Sequence, residues 1–208
     1  MPKTPSDPTS IQIVVPSQLE LEHLQSLDRR FEDAVGVGVG LVEVACGVAA
    51  MLDQKRIDEV WLCGIAGTFD AERFPIGSAL EFGSARLHGI GVGEAEHHQT
   101  PRQLGWTDDD DQEIWGSDPA LPAVLTVAAA SGCLAEAERR RRDHREVIAE
   151  DMETFAVAQV CRRLGCRLRV FRGCSNRVGD RDPRRWNVRE ACRAVAQRVR
   201  LCDTEQQH

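Results

Sequence analysis

The feature that most constrains the fold is the alternation of short, continuous apolar runs with segments of helical spacing. The runs IQIVV at 11–15 and VWLC at 60–63 are continuous and apolar, and they predict buried strands. After the first run, Ser17 predicts the cap of a helix that begins near Gln18, with Glu20 in its first turn. Strands that alternate with helices form largely parallel sheets with helices packed on their faces. The sequence therefore predicts an α/β protein.

The same patterns continue along the rest of the chain. Further strands are predicted at the start of 35–52 and within 77–87, 121–131 and 166–175. Helices are predicted in the remainder of 35–52 and in 133–146, 150–165 and 182–202. Glu150 and Asp151 are expected at the start of the third of these helices. We expect one domain over 11–202, a disordered tail at 1–10 and a C-terminal tail at 203–208.

The composition narrows the class of protein. Of the 208 residues, 42% are hydrophobic and 28% are charged, which is typical of globular rather than disordered chains. The formal net charge of −7 disfavours nucleic acid as a partner, because phosphate backbones are bound by basic surfaces. No apolar run approaches the ~18 residues that a membrane span needs, and the polar start MPKTPSDPTS has no signal-peptide core. We expect a cytoplasmic protein that binds neither nucleic acid nor membrane.

The eight cysteines are expected to be free thiols. No Cys-x-x-Cys pair occurs, and Cys46, Cys63, Cys161 and Cys174 lie inside apolar segments, where free cysteines are commonly buried. The stretch EAEHH at 94–98 has a metal-like composition, but adjacent histidines on a polar loop are expected to be solvated. The sequence therefore predicts no metal site.

Two charged stretches are interpreted structurally. The run RRRR at 139–142 is flanked by acidic residues and predicts a charged helix face rather than a nucleic-acid surface. In GDRDPRRW at 179–186, Asp180, Arg181 and Asp182 are expected to form local pairs, and Trp186 is expected to pack against their loop.

Special residues follow four predicted strands. Since ligands of open α/β sheets bind beyond the carboxyl ends of the strands, these residues are expected to converge on one site. The glycines at 38 and 40 do not complete a dinucleotide fingerprint, because Glu43 occupies the third glycine position. The four groups are Pro16 and Ser17 with Glu20, Gly38 with Gly40, the turn from Gly64 through Ala66 and Gly67 to Thr68, and the stretch from Arg172 to Asn176.

Two longer stretches are more specific: AEDMETFAVAQVC at 149–161 and RVFRGCSNRVGDRDPRRWNVREA at 169–191. They resemble the nucleoside phosphorylase and nucleosidase superfamily, in which a strand leads to a Met-Glu pair opening a helix and the next strand ends in Arg-x-x-Ser-Asp or Arg-x-x-Ser-Asn. GVGLVEVACGVAAML, LCGIAGTF and IVVPSQLELE resemble the family's Gly-rich turns and opening strand, so the resemblance spans about residues 11–200. Within the superfamily, PSQLE, GIAGTF, DMETFAVA and SNRVGDRDPRRW resemble the futalosine hydrolases, which release hypoxanthine from futalosine. Thr154 departs from the family pattern, in which Gly commonly follows Met-Glu.

The resemblance implies a three-layer α/β/α fold with a central mixed, largely parallel sheet. It also implies hydrolysis of the N-ribosidic bond of a 6-oxopurine nucleoside, a reaction that builds positive charge on the sugar and negative charge on the leaving base. A carboxylate at Glu153 can bind the ribose hydroxyls, with Met152 against the apolar face of the sugar. The Asn176 amide can donate to N7 or O6 of hypoxanthine or guanine, whose acceptors would repel a carboxylate.

Glu20 is the expected general base that activates water, and Glu22 is its alternative. Water, two carboxylates and an amide suffice for this reaction, so no cofactor is expected. The remaining members of the expected site bind or orient the substrate, and they are Gly38, Gly40, Ala66, Gly67, Met152, Arg172 and Ser175.

Other functions stay open on the sequence. A phosphorolytic enzyme on the same fold would need cationic or dense N–H groups for phosphate, and neither Gly turn carries Arg or Lys. A non-catalytic nucleoside-binding relative and a structural interaction protein are further alternatives. A homodimer is the default assembly, because twofold symmetry is the commonest, and a higher homo-oligomer is the alternative. The sequence does not indicate the group at the 5′ position of the nucleoside.

Overall fold

The computed structural model describes residues 10–93, 97–107, 113–116, 118 and 120–206. The strands are β1 Ile11–Val15, β2 Val35–Gly36, β3 Glu59–Thr68, β4 Ala79–Phe82, β5 Ser84–Leu87, β6 Glu113–Gly116, β7 Ala123–Thr126, β8 Val147–Asp151 and β9 Arg167–Arg177. The helices are α1 Gln18–Leu27, α2 Leu41–Gln54, α3 Leu134–Asp143, α4 Thr154–Leu164 and α5 Val188–Gln206.

The sheet is mixed and largely parallel, as expected. Its centre is β3, which pairs in parallel with β1 on one side and with β9 on the other, and β1 continues in parallel to β2. Near its carboxyl end, β3 turns to pair with β8 in antiparallel orientation, and β8, β7 and β5 then follow in parallel. β4 and β6 add antiparallel edges to β9 and β5. This pairing brings the carboxyl ends of β3, β8 and β9 together.

Helices cover the sheet in two separate cores, which confirms the three-layer α/β/α architecture. On one face, α2 and α4 bury residues such as Val48 and Val157 against the sheet. On the other face, α1 and α5 pack Leu24 and Val199 over Trp61. Burying each such side chain contributes about 1.5–3 kcal/mol. These cores fix the positions of the strand ends.

The start of α1 forms as the sequence predicts. Ser17 is the N-cap, and its hydroxyl accepts a hydrogen bond from the backbone N–H of Glu20. The Glu20 carboxylate in turn accepts from the backbone N–H of Ser17, which completes a capping box. The cap therefore fixes the Glu20 side chain at the helix start.

The structure corrects the prediction of a helix at 150–165. Glu150 and Asp151 are the last residues of β8, a fully buried strand, and α4 begins only at Thr154 with Glu153 as its N-cap residue. Two acidic residues in a row are typical of a helix start, which explains the wrong prediction. In the structure both acids are buried. β8 is thus a strand that the sequence pattern did not predict.

Three smaller boundaries also differ from expectation. The expected turn at 64–68 continues as part of β3, with a bulge between Ala66 and Gly67. The expected strand in 77–87 is two strands, β4 and β5, separated at Gly83. Helix α5 extends to Gln206, past the expected domain end at 202, while 1–9 and 207–208 lie outside the described residues.

All eight cysteines are free, as expected. Cys63, Cys161 and Cys174 are buried, whereas Cys46 is exposed, because it lies on the outer side of α2. Among the described residues no cluster of three potential ligands could hold a metal ion, and residues 94–96 of the EAEHH stretch lie outside the described part of the chain. None of the described helices is long and apolar enough to cross a membrane.

Candidate active site

A cleft of about 280 Å³ opens where β3, β8 and β9 end. This is the position at which α/β sheets bind their ligands. The groups that line it come from the α1 start, from the three strand ends and the loops that follow them, and from the loops after β2 and β7. They are Ser17, Glu20, Val39, Ile65, Ala66, Gly67, Ala130, Glu150, Asp151, Met152, Glu153, Ser175, Asn176, Val178, Gly179, Arg181 and Trp186.

Glu20 is buried in the cleft, and its carboxylate has a fixed orientation. One oxygen, Oε1, accepts from the backbone N–H of Ile65 at 2.7 Å. The other, Oε2, accepts from the N–H of Ser17 at 3.1 Å and also contacts the Ser17 hydroxyl. Glu22, the alternative base, is exposed on α1, where it accepts a bond from Gln18 instead. Of the two carboxylates, only Glu20 lines the cleft.

Arg172 is completely buried beneath the cleft and connects two acidic residues. Its Nε and Nη2 atoms donate to Asp151 Oδ2 at 3.0 and 2.6 Å. Nη2 also donates to Glu153 Oε2 at 3.2 Å. Asp151 is itself buried, and its Oδ1 accepts from the Thr126 hydroxyl at 2.6 Å. A buried cation is thus matched by two carboxylates with hydrogen-bonded geometry, as burial of charge requires.

Glu153 is 6% exposed and stands at the start of α4. Its Oε1 accepts from the backbone N–H of Gly40 at 3.0 Å. Burial raises the pKa of Glu153 to about 7; Arg172 opposes this shift, while the charges of Asp151 and Glu20 add to it. Glu153 therefore changes protonation near neutral pH.

One guanidinium atom of Arg172 remains unused. Nη1 is buried and has no hydrogen-bond partner among the described residues. It lies 2.5 Å from the position that a Cβ atom at Gly64 would occupy, and Glu20 Oε1 lies 2.7 Å from the same position. Because Gly64 has no side chain, the free donor of Arg172 and the carboxylate of Glu20 both border the space that such a side chain would fill.

Thr154, the departure from the family pattern, has a structural role here. Its backbone N–H donates to Asp151 Oδ2 at 3.2 Å, and its hydroxyl contacts the same oxygen. The hydroxyl also accepts from Arg172 Nη2 at 3.3 Å. Thr154 thus replaces the usual Gly with a side chain that joins the buried charge network.

Asn176 faces the cleft from the end of β9, and Ser175 sets the orientation of its amide. The Ser175 hydroxyl lies 2.7 Å from Asn176 Oδ1 and 3.3 Å from the carbonyl of Ala66. Asn176 Nδ2 donates to the carbonyl of Arg177 at 2.8 Å, and its contact with the carbonyl of Asp180 is longer, at 3.5 Å. One amide N–H is therefore held only weakly by the protein.

The other expected site residues divide into two groups. Ala66, Gly67 and Met152 line the cleft. The expected glycines Gly38 and Gly40 do not: the N–H of Gly38 donates to the carbonyl of Pro16, and the N–H of Gly40 donates to Glu153. These two glycines shape the turn that positions Glu153.

The loop after β9 is stabilised by local pairs, as the sequence predicts. Asp180 pairs with Arg185 at 3.0 Å, and Asp182 pairs with Arg184 at 2.8 Å. The Trp186 indole donates to the carbonyl of Asp180 at 3.0 Å. Arg181 instead lies over the Trp186 ring, 4.8 Å from its centroid. Trp186 packs against the loop and also contributes to the cleft wall.

Asp151, Glu150 and Arg140 belong to the site or its support, although the sequence patterns do not indicate them. Arg140, from the run expected to be a charged helix face, is only 6% exposed and pairs with Glu150 at 2.8 Å. The one signal available was the position of Glu150 and Asp151 directly after the apolar VIA of β8, at a strand end.

Comparison with known proteins is consistent with this geometry. The family model described as the phosphorylase superfamily matches residues 122–204, which include β7 to β9. The futalosine hydrolase of Streptomyces coelicolor is 30% identical over 182 residues, covering 80% of this chain and 76% of that protein. The futalosine hydrolase of Acidothermus cellulolyticus is 39% identical over 80 residues, covering 38% and 33% of the two chains.

Solved structures share the fold at low sequence identity. A variant of the Helicobacter pylori nucleosidase MTAN with 5′-methylthioadenosine in its active site has a TM-score of 0.79 at 14% identity, over 96% of this chain and 100% of that one. The native futalosine hydrolase of Helicobacter pylori has a TM-score of 0.76 at 14% identity, over 95% and 98%.

These findings together define an N-glycosyl hydrolase that acts on nucleosides. The chain belongs to the phosphorylase superfamily and, within it, to the futalosine hydrolase family.

Proposed function

We propose that this protein hydrolyses the N-ribosidic bond of a 6-oxopurine nucleoside, with futalosine as substrate and hypoxanthine and dehypoxanthine futalosine as products. The observation that carries the proposal is that one cleft holds Glu20, Glu153 and Asn176 around the buried Arg172. The names of the curated relatives support futalosine as the nucleoside.

Glu153 is suited to the sugar. Its carboxylate is fixed by Gly40 and Arg172, yet it lines the cleft, where ribose hydroxyls can donate to it. As the glycosidic bond breaks, positive charge develops on the ribose, and the ionised carboxylate stabilises that charge more strongly than it stabilises the neutral ground state. Met152 lies on the same wall and supplies an apolar contact to the ring.

Glu20 is suited to activating water. The pair formed by Glu20 Oε1 and Arg172 Nη1 combines an acceptor with a donor, and the two atoms approach the same point over Gly64. A water molecule that contacts both would be oriented by the guanidinium and would transfer its proton to Glu20. The hydroxide equivalent then bonds to the ribose carbon as the base departs with the bonding electrons.

Asn176 is suited to the leaving base. Ser175 holds the amide so that its oxygen faces the serine and its nitrogen faces the carbonyls of Arg177 and Asp180, of which the second is only a long contact. The weakly held N–H can donate to N7 or O6 of a 6-oxopurine and stabilise the negative charge that grows on the base. An adenine would present its 6-amino donor to the same N–H, which disfavours adenine.

The charges of the cleft favour water over phosphate as the nucleophile. Glu20, Glu150, Asp151 and Glu153 all line it. Of the cations, Arg172 is already paired with two of these acids, and Arg181 lies over the Trp186 ring. A phosphate dianion would have to enter beside these carboxylates, and repulsion between like charges opposes such entry.

Chromatography of free base after incubation with futalosine, inosine or 5′-methylthioadenosine tests the proposal, each with and without phosphate. We expect hypoxanthine from futalosine at a rate that phosphate does not change, and loss of release in Glu153→Gln. Release that requires phosphate would identify a phosphorylase. Binding of futalosine without release of any base would identify a non-catalytic relative.

A further inference from the structure

A second buried charge network lies behind the base end of the cleft. Glu150 accepts from the backbone N–H of Ser131 at 2.8 Å and from the Ser131 hydroxyl at 2.7 Å. Arg140 Nη1 donates to Glu150 Oε2 at 2.8 Å and contacts the Ser131 hydroxyl at 3.0 Å. None of these three residues is more than 6% exposed. The network is therefore largely shielded from bulk water, with Glu150 at its cleft side, and its charges depend on each other.

The register of the sheet places this network beside Asn176. Gly67 on β3 is paired with Asn176 of β9 on one side and with Glu150 of β8 on the other. Glu150 and Asn176 thus flank the same residue, and both line the cleft. Under the proposed function, this is the end of the cleft that holds the base.

Arg140 ties the loop between β7 and α3 to this rung of the sheet. It donates to the carbonyl of Ala129 at 3.0 Å, while Glu150 holds the N–H of Ser131. Ala130, between those two anchored residues, is part of the cleft wall. A second branch of the guanidinium pairs with Glu136 at 2.7 Å, which fixes Arg140 to its own helix. The loop is held at two backbone points, one on each side of Ala130.

We propose that Arg140 is a positioning residue, which acts through Glu150 and Ser131 to fix the loop at 127–133 as the wall of the base pocket. The identity of the ligand in this inference rests on the proposed function. The fixing of the loop by Arg140 is independent of it. Without Arg140, Glu150 is a buried carboxylate with no cationic partner, and such a group draws in water or moves toward solvent. The Ala130 wall moves with it.

The kinetic test compares Arg140→Gln with Arg142→Gln, an exposed residue of the same arginine run. A wall that contacts the base equally in substrate and transition state affects binding, so we expect the KM for futalosine to rise about tenfold in Arg140→Gln with a much smaller change in kcat. Arg142→Gln should match the unmodified protein. A change in stability alone would leave the KM of the folded enzyme unaltered.

Arg140→Lys keeps the tests decisive if Arg140→Gln does not fold. The lysine ammonium keeps the positive charge beside Glu150, so Arg140→Lys should fold. It has three donors where Arg140 meets four acceptors, so its KM should lie between those of Arg140→Gln and Arg142→Gln. An unchanged KM in the folded position-140 variants would overturn the proposal.

Amide hydrogen exchange separates this claim from the proposed function, because it needs no substrate. We expect the Ser131 N–H to exchange faster in the variants at position 140 than in Arg142→Gln. Failure of the unmodified protein to cleave futalosine would refute the proposed function while leaving this readout intact. Equal exchange of Ser131 in all variants would refute the positioning role.

Discussion

Arg172 and Gly64 are direct neighbours across β9 and β3, and the guanidinium of Arg172 occupies the space that a side chain at position 64 would fill. Glu20 Oε1 reaches into the same space from α1. The missing side chain of Gly64 thus leaves the space that a buried cation and a buried carboxylate both border.

Gly64→Ala should therefore disrupt the site more than its size suggests. The added methyl group would lie 2.5 Å from Arg172 Nη1 and 2.7 Å from Glu20 Oε1, so both groups must move. A displacement of catalytic groups by about 1 Å can cost about a hundredfold in rate, and we expect a loss of that order in kcat/KM. Gly36→Ala is the control, because its added methyl group meets only Leu21 at 3.5 Å. Equal activity of the two variants would contradict the role of Gly64.

Arg172→Met should lower stability as well as activity. It removes the partner of Asp151 and Glu153, and breaking a buried ion pair in this way costs about 3–5 kcal/mol. Urea unfolding followed by circular dichroism measures the loss. Arg169→Met, on the same strand, removes a pair with Glu81 outside the cleft and should preserve turnover. A normal rate of base release in folded Arg172→Met would exclude its part in the reaction.

The pKa of Glu153 predicts a rise of kcat/KM with pH. Burial raises this pKa to about 7, and the ionised form stabilises the developing positive charge, so activity should increase as pH passes through about 7. The same shift affects stability in the opposite sense. Because the folded state holds this proton more tightly than the unfolded chain, the contribution of Glu153 to stability falls as pH rises from about 4.5 to about 7.

Two pH profiles check this prediction. The first follows hypoxanthine release, where kcat/KM of the unmodified enzyme should rise with pH through about 7. The second follows the free energy of unfolding, where Glu153→Gln should lack the decrease shown by the unmodified protein between about pH 4.5 and about pH 7. Identical stability profiles of the two proteins would show that Glu153 does not titrate in this range.

Asn176→Asp should change the preference between bases. A carboxylate at this position repels N7 and O6 of hypoxanthine, so kcat/KM for futalosine should fall about tenfold to a hundredfold, as loss of one buried hydrogen bond predicts. The ratio of activity on 5′-methylthioadenosine to activity on futalosine should rise. Asn187→Asp provides the matched control, since Asn187 is exposed. An unaltered ratio in Asn176→Asp would remove Asn176 from base recognition.

Local patterns predicted the parts of the fold that depend on neighbouring residues. The capping box of Ser17 and Glu20 is a contact between residues three apart, and it formed as expected. The alternation of strands and helices similarly predicted a largely parallel sheet covered by helices, while the three-layer arrangement was implied by the family resemblance. The strand ends then indicated that Glu20 and Asn176 meet in one cleft, because β1, β3 and β9 are parallel and end on one side of the sheet. Glu153 was expected only from the family resemblance, since β8, the strand that leads to it, was not predicted.

Contacts between distant residues were beyond local patterns. Glu150 and Asp151 resemble the acidic start of a helix, and only their partners, Arg140 and Arg172, explain why they end a buried strand. Arg140 likewise stands among three other arginines, and its burial follows from the position of Glu150 on the sheet. The charge of these residues alone therefore predicted a helix start for Glu150 and Asp151 and an exposed position for Arg140, and both predictions were wrong.

The measurement that tests the central claim most directly is the rate of hypoxanthine release from futalosine by Glu20→Gln, compared with Glu22→Gln. Both changes remove one carboxylate from α1, but only Glu20 lies in the cleft, and Glu22 is exposed. If Glu20 activates water, its amide variant should lose about a hundredfold to ten-thousandfold in kcat, while Glu22→Gln should retain the full rate. Full activity of Glu20→Gln, with both proteins folded, would contradict the account.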